Sequence, residues 1–229
     1  MIYLHIGAGA GDKDPSKNYR DGFSEFVKKK KDKNKKIFVV EANPANINKL
    51  RECWKKFKNV KIFNFAISAN RKNSAKFYYS TNDAPHFQLF SNKKKHVEHY
   101  FPKNTIRSKK LGLININIFL KKYFYKKTID YFSIDIEGLD YEVMMKINLE
   151  KYEIKNISLE YLHLNKIQKK NLIKRLLSFG YSYYGFGLDH NKIDWFFKKK
   201  TSVWNNIIVK SLPYIHRIYY KRINRILLS

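Results

Sequence analysis

Short, wholly apolar runs alternate with amphipathic segments along most of this 229-residue chain, and this alternation constrains the fold more than any other feature. Runs that are apolar throughout predict strands buried on both faces, which parallel sheets covered by helices provide. We therefore predict an α/β fold with a mostly parallel sheet, helices on both faces and ligands at the carboxyl ends of the strands. The predicted strands are residues 2–6, 36–40, 60–67, 129–134 and 157–162.

The segments between these strands carry apolar residues at helical spacing. Gly180 ends the last helix, and residues 181–186 and 193–197 predict an antiparallel pair of strands. Residues 80–111 are polar, basic and too long for an ordinary connection, so we predict either a substrate-contacting loop or a partly disordered insert there. The predicted helices are residues 22–29, 44–57, 116–124, 140–145 and 165–179.

Length and composition predict one folded domain over residues 1–200 and a separate tail over residues 201–229. Within the tail, residues 213–228 project as a helix with one apolar face and one basic face. Such a helix either contacts an anionic membrane at its periphery or packs its apolar face on its own domain or on the second subunit of a homodimer.

The charge is strongly basic, because 47 Lys and Arg stand against 19 Asp and Glu, for a net charge of +28. Such a charge attracts nucleic acid. However, lysine is spread along the chain together with Asn, Ile, Tyr and Phe, as an AT-rich genome would produce, so we expect no nucleic acid partner.

No apolar run approaches the roughly 20 residues of a membrane span, and the single cysteine, Cys53, cannot form an internal disulfide. We expect a cytoplasmic protein, with the tail as the segment that would bring it to the inner face of the membrane.

Three glycines, Gly7, Gly9 and Gly11, directly follow the first predicted strand. Backbone without a Cβ can approach a ligand closely, and the following helix presents free N–H groups. Glu41 ends the second strand, where a carboxylate can accept hydrogen bonds from both hydroxyls of a ribose. Together these features predict a nucleoside-containing cofactor; the alternative is a tight turn beside a solvated glutamate.

Further polar residues follow later strands at the same predicted edge. Asp135 and Glu137 are suited to orienting a cofactor ammonium, holding a substrate hydroxyl or coordinating a cation, and the alternative is that they cap the next helix. Glu160, with His163 beyond it, could supply a general base, and the alternative is a buried, hydrogen-bonded glutamate. We assign no residue as a metal ligand.

The segments YLHIGAGAGD at residues 3–12, FVVEANP at residues 38–44 and IDYFSIDIEG at residues 129–138 resemble, in this order, the FkbM-type methyltransferases. The resemblance spans roughly residues 1–198 and implies a Rossmann-like class I methyltransferase fold, in which a seven-stranded sheet ends in an antiparallel hairpin, with S-adenosylmethionine as cofactor. By this resemblance the cofactor would lie against the glycine turn of Gly7, Ala8, Gly9 and Gly11, beside His5. Its ribose would be held by Glu41 with Ala42 and Asn43. Its adenine would be flanked by Asn64, Phe65 and Ala66, and its methionine would lie near Asp135.

His5 stands where the family usually has an acid, and we expect a buried, hydrogen-bonded imidazole there rather than a catalytic group. The resemblance makes Asp135, Glu137, Glu160 and His163 the candidate catalytic residues, the last three as candidates to remove a proton from the acceptor.

The family's association with O-methylation implies a small hydroxylated acceptor, such as a sugar or glycan precursor. The alternatives are an RNA methyltransferase and a non-catalytic binding protein of the same fold. RNA is disfavoured by the dispersed lysines and by the lack of an Asn/Asp-Pro-Pro-aromatic tetrapeptide after the fourth strand.

Overall fold

The computed structural model describes residues 1–13, 21–70, 73–83, 89–188 and 193–200, and helices alternate with strands along them. The strands in this part of the chain are β1 (Ile2–Ile6), β2 (Lys36–Glu41), β3 (Val60–Asn64), β4 (Ala66–Ser68), β5 (Ser74–Ser80), β6 (Ile106–Asn115), β7 (Tyr131–Ile134), β8 (Asn156–Glu160), β9 (Tyr181–Phe186) and β10 (Asp194–Lys199). The α-helices are α1 (Gly22–Lys29), α2 (Ile47–Trp54), α3 (Lys94–Tyr100), α4 (Ile116–Phe124), α5 (Asp140–Met144) and α6 (Lys166–Ser178).

Seven strands form one sheet in the order β3-β2-β1-β7-β8-β10-β9. The five strands from β3 to β8 in this order pair in parallel, whereas β10 runs antiparallel to both β8 and β9. The predicted Rossmann-like class I methyltransferase fold, with its mostly parallel sheet and C-terminal antiparallel hairpin, is confirmed.

The register of the parallel strands brings their carboxyl ends to one edge. Ile6 of β1 pairs with Val40 of β2 and with Ile134 of β7, and Ile134 pairs in turn with Leu159 of β8. The residues that follow these positions therefore emerge side by side, as expected for the ligand-binding edge of such a sheet. They are the glycine turn, Glu41, Asp135 and Glu160.

Apolar layers cover both faces of the sheet, which explains why its strands are apolar throughout. In β1, Leu4 and Ile6 belong to the core cluster that includes residues of α4, α5 and α6. Tyr3, the residue before Leu4, belongs to the opposite cluster with residues of α1 and α2. Leu4 is fully buried and Tyr3 is 2% exposed, so β1 packs against apolar side chains on both faces of the sheet.

Side-chain caps explain why three predicted helices begin where they do. Asp21 accepts hydrogen bonds from backbone N–H groups at the start of α1, and Asn115 does so at the start of α4. Asn165 and Gln168 form a reciprocal capping box at the start of α6. The predicted bounds of α1 and α4 are confirmed, and those of α6 hold to within one residue.

Two parts of the sequence-based prediction are wrong. The predicted strand over residues 60–67 is two strands, because β3 ends in the large sheet and β4 pairs instead with β6. The segment over residues 80–111 is neither a loop nor a disordered insert over its described part, since it contains α3 and more than half of β6. With β5, which was also missed, β4 and β6 form a separate three-stranded sheet.

The sequence analysis did not predict β6, because several of its side chains are cationic and exposed. Arg107, Lys109 and Lys110 interrupt any apolar pattern and are exposed in the structure. The strand is held instead by backbone pairing, with residues 106–112 antiparallel to β5 and residues 113–115 parallel to β4.

Residues 201–229 lie outside the described residues, so the domain boundary at residue 200 and the amphipathic helix over residues 213–228 stay predictions. In the described part of the chain, no helix has the length and apolar character that crossing a membrane requires.

Candidate active site

A cavity of about 570 Å³ opens at the carboxyl edge of the large sheet. Its size falls within the roughly 300–1,000 Å³ typical of small-molecule sites. Asn43 and Asn64 are the two predicted site residues that do not line it. The predicted site residues that do line it are His5, Gly7, Ala8, Gly9, Gly11, Glu41, Ala42, Phe65, Ala66, Asp135, Glu137, Glu160 and His163.

The turn after β1 needs its glycines for different reasons. Gly7 and Gly9 have φ angles of +85° and +52°, which favour glycine. A Cβ on Gly7 would lie 1.5 Å from the backbone oxygen of Asp135, so this glycine lets the ends of β1 and β7 approach closely. A Cβ on Gly9 would meet no atom within 4 Å, because Gly9 borders the cavity. The turn is therefore tightly packed at Gly7 and open to a ligand at Gly9.

Glu41, the last residue of β2, is 6% exposed and held by backbone donors. Its carboxylate accepts hydrogen bonds from the N–H groups of Gly9 and Asn43, each at 2.6 Å. Burial raises the pKa of Glu41 to about 7, although both donors favour the ionised form. Because each oxygen keeps a further lone pair, the carboxylate is oriented to accept hydrogen bonds from two hydroxyls of a ligand.

Asn43 and Asn64 position Glu41 and its neighbour. The side-chain amide of Asn64 donates to the backbone oxygens of Glu41 and Ala42, at 2.9 and 3.2 Å, and so ties the end of β3 to the end of β2. The side chain of Asn43 accepts a hydrogen bond from the backbone N–H of Ala45 at 3.1 Å. Asn43, through its backbone N–H, orients the Glu41 carboxylate, Asn64 holds the backbone at Glu41 and Ala42, and the predicted contact of both with the cofactor stays a prediction.

The loop after β7 has an unusual backbone that Asp140 holds in place. Glu137 has a φ of +54°, which is uncommon for a residue with a Cβ and concentrates at functional sites. Asp140, 1% exposed, accepts hydrogen bonds from the backbone N–H groups of Ile136 and Gly138, at 2.9 and 3.2 Å. It thereby fixes the loop that presents Asp135 and Glu137. The sequence analysis missed this role, although an acid at the start of a helix that follows such a loop is a signal for it.

Carboxyl groups and an imidazole meet beside this loop. His163 Nε2 lies 3.3 Å from Glu160 Oε1 and 3.9 Å from Glu137 Oε2. Glu160 also shares a hydrogen bond with Asp135. Burial, reinforced by the neighbouring acids, raises the pKa of Glu160 to about 11 and the pKa of Glu137 well above its usual value. Burial and Lys93 lower the pKa of His163, which favours its neutral form. Three of the predicted catalytic residues therefore form one cluster at the cavity, and the fourth, Asp135, is bonded to it.

His5 is the buried imidazole that the sequence predicts. It is 6% exposed, and its ring centroid lies 4.6 Å from that of Phe23. Burial lowers the pKa of His5, an effect that Asp21 partly offsets from 3.9 Å. Nδ1 of His5 has no hydrogen-bond partner among the described residues, so the expected hydrogen bond is missing at this nitrogen.

One wall of the cavity comes from residues that the sequence analysis did not assign. Phe77 of β5 stacks on Phe90, with ring centroids 5.3 Å apart and ring planes within 8° of parallel. His96 and Tyr100 of α3 also line the cavity, and the His96 ring lies 4.5 Å from the His163 ring. The available signal was a segment long enough to contact substrate that also carries histidines.

The residues that line the cavity are acidic, although the chain as a whole is basic. No Lys or Arg is found among the described residues that line it. Because ligands that carry positive charge are favoured by such a lining and phosphate groups are not, the cavity suits a cationic or neutral ligand. The acidic residues that line it are Asp21, Glu41, Asp83, Asp135, Glu137, Glu160 and Asp194.

Comparison with known proteins gives one family and a set of distantly similar structures. The model of the methyltransferase FkbM domain matches residues 5–185. No curated protein sequence matches the chain.

Similar solved structures include two fibrillarins and one methyltransferase. A Methanococcus jannaschii fibrillarin, a pre-rRNA processing protein, is 11% identical with a TM-score of 0.45, and the match covers 88% of this chain and 67% of that one. The human methyltransferase 10 domain containing protein is 11% identical with a TM-score of 0.43, over 88% of this chain and 72% of that one. Aeropyrum pernix fibrillarin with natively bound S-adenosyl-L-methionine is 11% identical with a TM-score of 0.40, over 86% and 64%. The family match, rather than these distant similarities, identifies the chain.

Proposed function

The chain belongs to the FkbM methyltransferase family, and from this membership we propose that it transfers a methyl group from S-adenosylmethionine to a hydroxyl of a sugar, a glycan precursor or another small hydroxylated molecule. One observation carries the proposal. The glycine turn with Glu41 and the cluster of Glu137, Glu160 and His163 open into the same cavity. A cofactor held at the first set would therefore share a cavity with an acceptor held at the second.

The residues beside the glycine turn fit S-adenosylmethionine. The backbone at Gly9 leaves space that a Cβ would otherwise occupy, and Glu41 offers a buried, oriented carboxylate for the two ribose hydroxyls. Phe65 and Ala66 line the cavity as apolar surface for a base. The acidic lining suits a ligand that carries both an ammonium and a sulfonium.

When bound, S-adenosylmethionine supplies an electrophilic methyl group on a positively charged sulfur. Gly7, Gly9 and Gly11 keep side chains out of the turn, and Glu41 would hold the ribose end. Asp135, which follows β7 and lines the cavity, would receive the ammonium of the methionine portion. These residues orient and bind, which is a large part of what a displacement reaction requires.

An acceptor hydroxyl must lose its proton as its oxygen forms the new bond to carbon. His163, whose lowered pKa favours the neutral form, provides a proton-accepting nitrogen, and its Nε2 lies 3.3 Å from Glu160 Oε1 and 3.9 Å from Glu137 Oε2. The products are the methyl ether, S-adenosylhomocysteine and one proton, which one of these groups takes up. We therefore assign the cluster to holding the hydroxyl and accepting its proton.

The acidic lining favours a neutral hydroxylated acceptor over RNA. A phosphate in the cavity would face seven carboxyl groups and no described lysine or arginine. The aromatic rings of Phe77, Phe90 and Tyr100 offer apolar faces of the kind on which a sugar ring can pack.

Calorimetric titration with S-adenosylmethionine and S-adenosylhomocysteine tests the cofactor site. We expect micromolar binding to the wild type and a loss of about a hundredfold or more in Glu41→Ala and Asp135→Ala, because each change removes a charged hydrogen-bonding partner. Glu52→Ala is the matched control, since Glu52 is exposed on α2 and forms an ion pair with Lys55. A folded wild type that binds neither compound would move the non-catalytic alternative to first place.

A second experiment addresses the acceptor. Purified protein and radiolabelled S-adenosylmethionine are incubated with a panel of free sugars, lipid-linked glycan precursors and single-stranded RNA. We expect label in a hydroxylated small molecule and none in RNA. Label in RNA alone would contradict the proposed acceptor class and leave the cofactor assignment intact.

A further inference from the structure

Two imidazoles and a carboxylate converge at the cavity from three separate parts of the chain. His96 lies on α3, Glu137 in the loop after β7 and His163 in the turn after β8. One ligand atom from each lies within 4.8 Å of the others. His163 Nε2 and Glu137 Oε2 are 3.9 Å apart. Two donors on one metal ion at about 2.0–2.2 Å are separated by at most about 4.4 Å, so this arrangement lies within a small side-chain movement of a coordination site.

His96 is oriented as a metal-binding histidine would be. Its ring makes a hydrogen bond to the backbone oxygen of Glu137. Nε2 of the same ring is buried and has no hydrogen-bond partner in the part of the chain that the structure describes. The hydrogen bond is therefore made by Nδ1, which leaves the Nε2 lone pair free. Metal-ligating histidines characteristically donate their other ring N–H to a carbonyl or carboxylate, which fixes the tautomer.

We propose that His96, His163 and Glu137 bind a divalent first-row transition-metal ion, for which Zn²⁺ and Mn²⁺ are the test cases. Imidazole nitrogen with one carboxylate suits these ions, whereas Mg²⁺ and Ca²⁺ prefer oxygen ligands alone. Further oxygen atoms are close by, because Asp135 and Glu160 lie beside the three ligands. Lys93 has its Nζ 2.6 Å from the backbone oxygen of Gly138 and 3.6 Å from Glu142, and its charge acts on both histidines.

A second group of carboxylates is less suited to a metal ion. Asp135, Asp140 and Glu160 also place ligand atoms within 4.8 Å of one another. Both oxygens of Asp140, however, already accept backbone hydrogen bonds from the loop, and Glu160 and Asp135 are bonded to each other. This group consists of acids whose oxygens are already hydrogen-bonded within the protein, so we assign no metal ion to it.

The role that we give to the metal ion rests on the proposed function. A divalent ion between His96 and His163 would bind the acceptor hydroxyl oxygen and make it more acidic. Glu160 Oε1, 3.3 Å from His163 Nε2, is then a hydrogen-bonding partner beside the bound hydroxyl. In the balanced step the O–H bond breaks, its proton is released to solvent water and the oxygen forms a bond to the methyl carbon. The electron pair of the broken S–C bond stays on sulfur.

Metal binding to the full-length protein tests the proposal directly. Protein stripped with chelator is titrated calorimetrically with MnCl₂, ZnCl₂ and MgCl₂. We expect one Mn²⁺ or Zn²⁺ per chain in the micromolar range and much weaker binding of Mg²⁺. We expect His96→Ala and His163→Ala each to weaken binding at least about tenfold. His99→Ala is the matched control, because His99 is an exposed histidine on the same helix, and its affinity should equal that of the wild type.

A spectroscopic readout separates ligation from a structural effect. Pulsed electron paramagnetic resonance of the Mn²⁺-loaded protein should show coupling to two imidazole nitrogens, reduced to one in each histidine variant. His96→Gln provides a second variant if His96→Ala has a lowered melting temperature. The proposal is overturned if the folded wild type binds neither ion stoichiometrically, or if both histidine variants bind as tightly as the wild type.

Titration with S-adenosylhomocysteine in the presence of chelator distinguishes the two proposals. Cofactor binding without metal binding would refute the metal site and leave the proposed function standing. Metal binding without cofactor binding would support the site and refute the function.

Discussion

The cavity and the outer surface of this protein carry opposite charge, although one chain builds both. Of 19 Asp and Glu in the sequence, seven line the cavity, and none of the 47 Lys and Arg is found among the described lining residues. On the outer sheet, by contrast, Arg107, Lys109 and Lys110 of β6 are exposed. The difference teaches that the net charge of +28 describes the solvated surface, while the ligand has to be inferred from the cavity.

The two regions also hold their charges in different ways. Exposed lysines are kept in place by hydration, and they interact weakly with their neighbours. At the cavity, Glu41 and Asp140, which supports the loop of Asp135 and Glu137, are fixed by hydrogen bonds, and each accepts two from backbone N–H groups. Substitutions in the cavity should therefore have large and specific effects, and substitutions on the surface small ones.

The largest contrast should come from two glycines. Gly7→Ala is expected to lower the free energy of unfolding by more than about 4 kcal/mol, because its Cβ would lie 1.5 Å from the backbone oxygen of Asp135 and its φ is +85°. Gly112→Ala on β6 is the control, since its Cβ would meet no atom within 4 Å, and it should change stability by less than about 1 kcal/mol. Urea unfolding followed by circular dichroism measures both. A Gly7→Ala protein with wild-type stability would show that the cavity end of β1 is not tightly packed.

The next largest effect should be that of salt, which should weaken binding to the outer surface much more than binding in the cavity. If the basic surface of the protein contacts about five phosphates of a single-stranded RNA, its affinity for that RNA should fall about a hundredfold between 50 and 200 mM salt. Affinity for S-adenosylhomocysteine should change less than about twofold, because interactions with buried groups such as Glu41 are weakly screened by salt. Fluorescence anisotropy with labelled RNA and calorimetry with the cofactor product measure the two. RNA that stays bound at 200 mM salt and is displaced by S-adenosylhomocysteine would instead place RNA in the cavity.

The pH dependence of cofactor binding should show a smaller effect, about tenfold. The pKa of Glu41 is raised to about 7, so its ionised fraction rises from about one tenth at pH 6 to about nine tenths at pH 8. Only the ionised form can accept hydrogen bonds with both oxygens, so affinity for S-adenosylhomocysteine should strengthen over this range. Calorimetry across the range should find a flat, weaker profile in Glu41→Gln.

The same raised pKa predicts the sign of a stability effect. Between about pH 4.5 and pH 7 the folded protein keeps a proton on Glu41 that the unfolded chain has lost, so stability should fall as pH rises through this window and then level off. Glu52 is the surface control, because its bond to Lys55 lowers its pKa and it should not titrate there. A Glu41→Gln variant with the pH profile of the wild type, in binding and in stability, would contradict the assignment.

The smallest effect should be found at a surface ion pair. Lys55 Nζ lies 2.6 Å from Glu52 Oε2, and both side chains are more than half exposed. A double-mutant cycle with Lys55→Met and Glu52→Gln should give a coupling energy below about 0.5 kcal/mol by urea unfolding. A coupling several times larger would mean that surface charges contribute to stability as strongly as the cavity acids.

Local signals made much of the fold predictable. The apolar run of β1 followed by glycines, and the helices α1 and α4 with Asp21 and Asn115 at their starts, depend on residues that are neighbours in sequence. β6 depends on pairing with β5 and β4, and its Arg107, Lys109 and Lys110 follow no apolar pattern. Non-local backbone pairing of this kind is not encoded in a short window of sequence.

The candidate site was predictable for a similar reason and to a similar extent. The glycine turn, Glu41 and Asp135 each follow an apolar strand, so their meeting at one edge is a consequence of a parallel sheet. His96 could not be placed with them, because it reaches the cavity only through the separate sheet of β4, β5 and β6. Asp140 was missed because the loop that it supports becomes visible only in three dimensions.

The separate sheet has an evolutionary consequence. Apart from Ala66, everything that it and α3 contribute to the cavity is encoded by one uninterrupted stretch, residues 67–101, whereas the opposite side draws on scattered segments after β1, β2, β7 and β8 and between β9 and β10. A single recombination event within a gene can therefore exchange the whole wall that contains Phe77, Phe90 and His96 and leave the Gly7–Gly11 turn and Glu41 untouched. For protein engineering, the same stretch can be varied in libraries that are selected for new acceptors, while the residues assigned to the cofactor are kept.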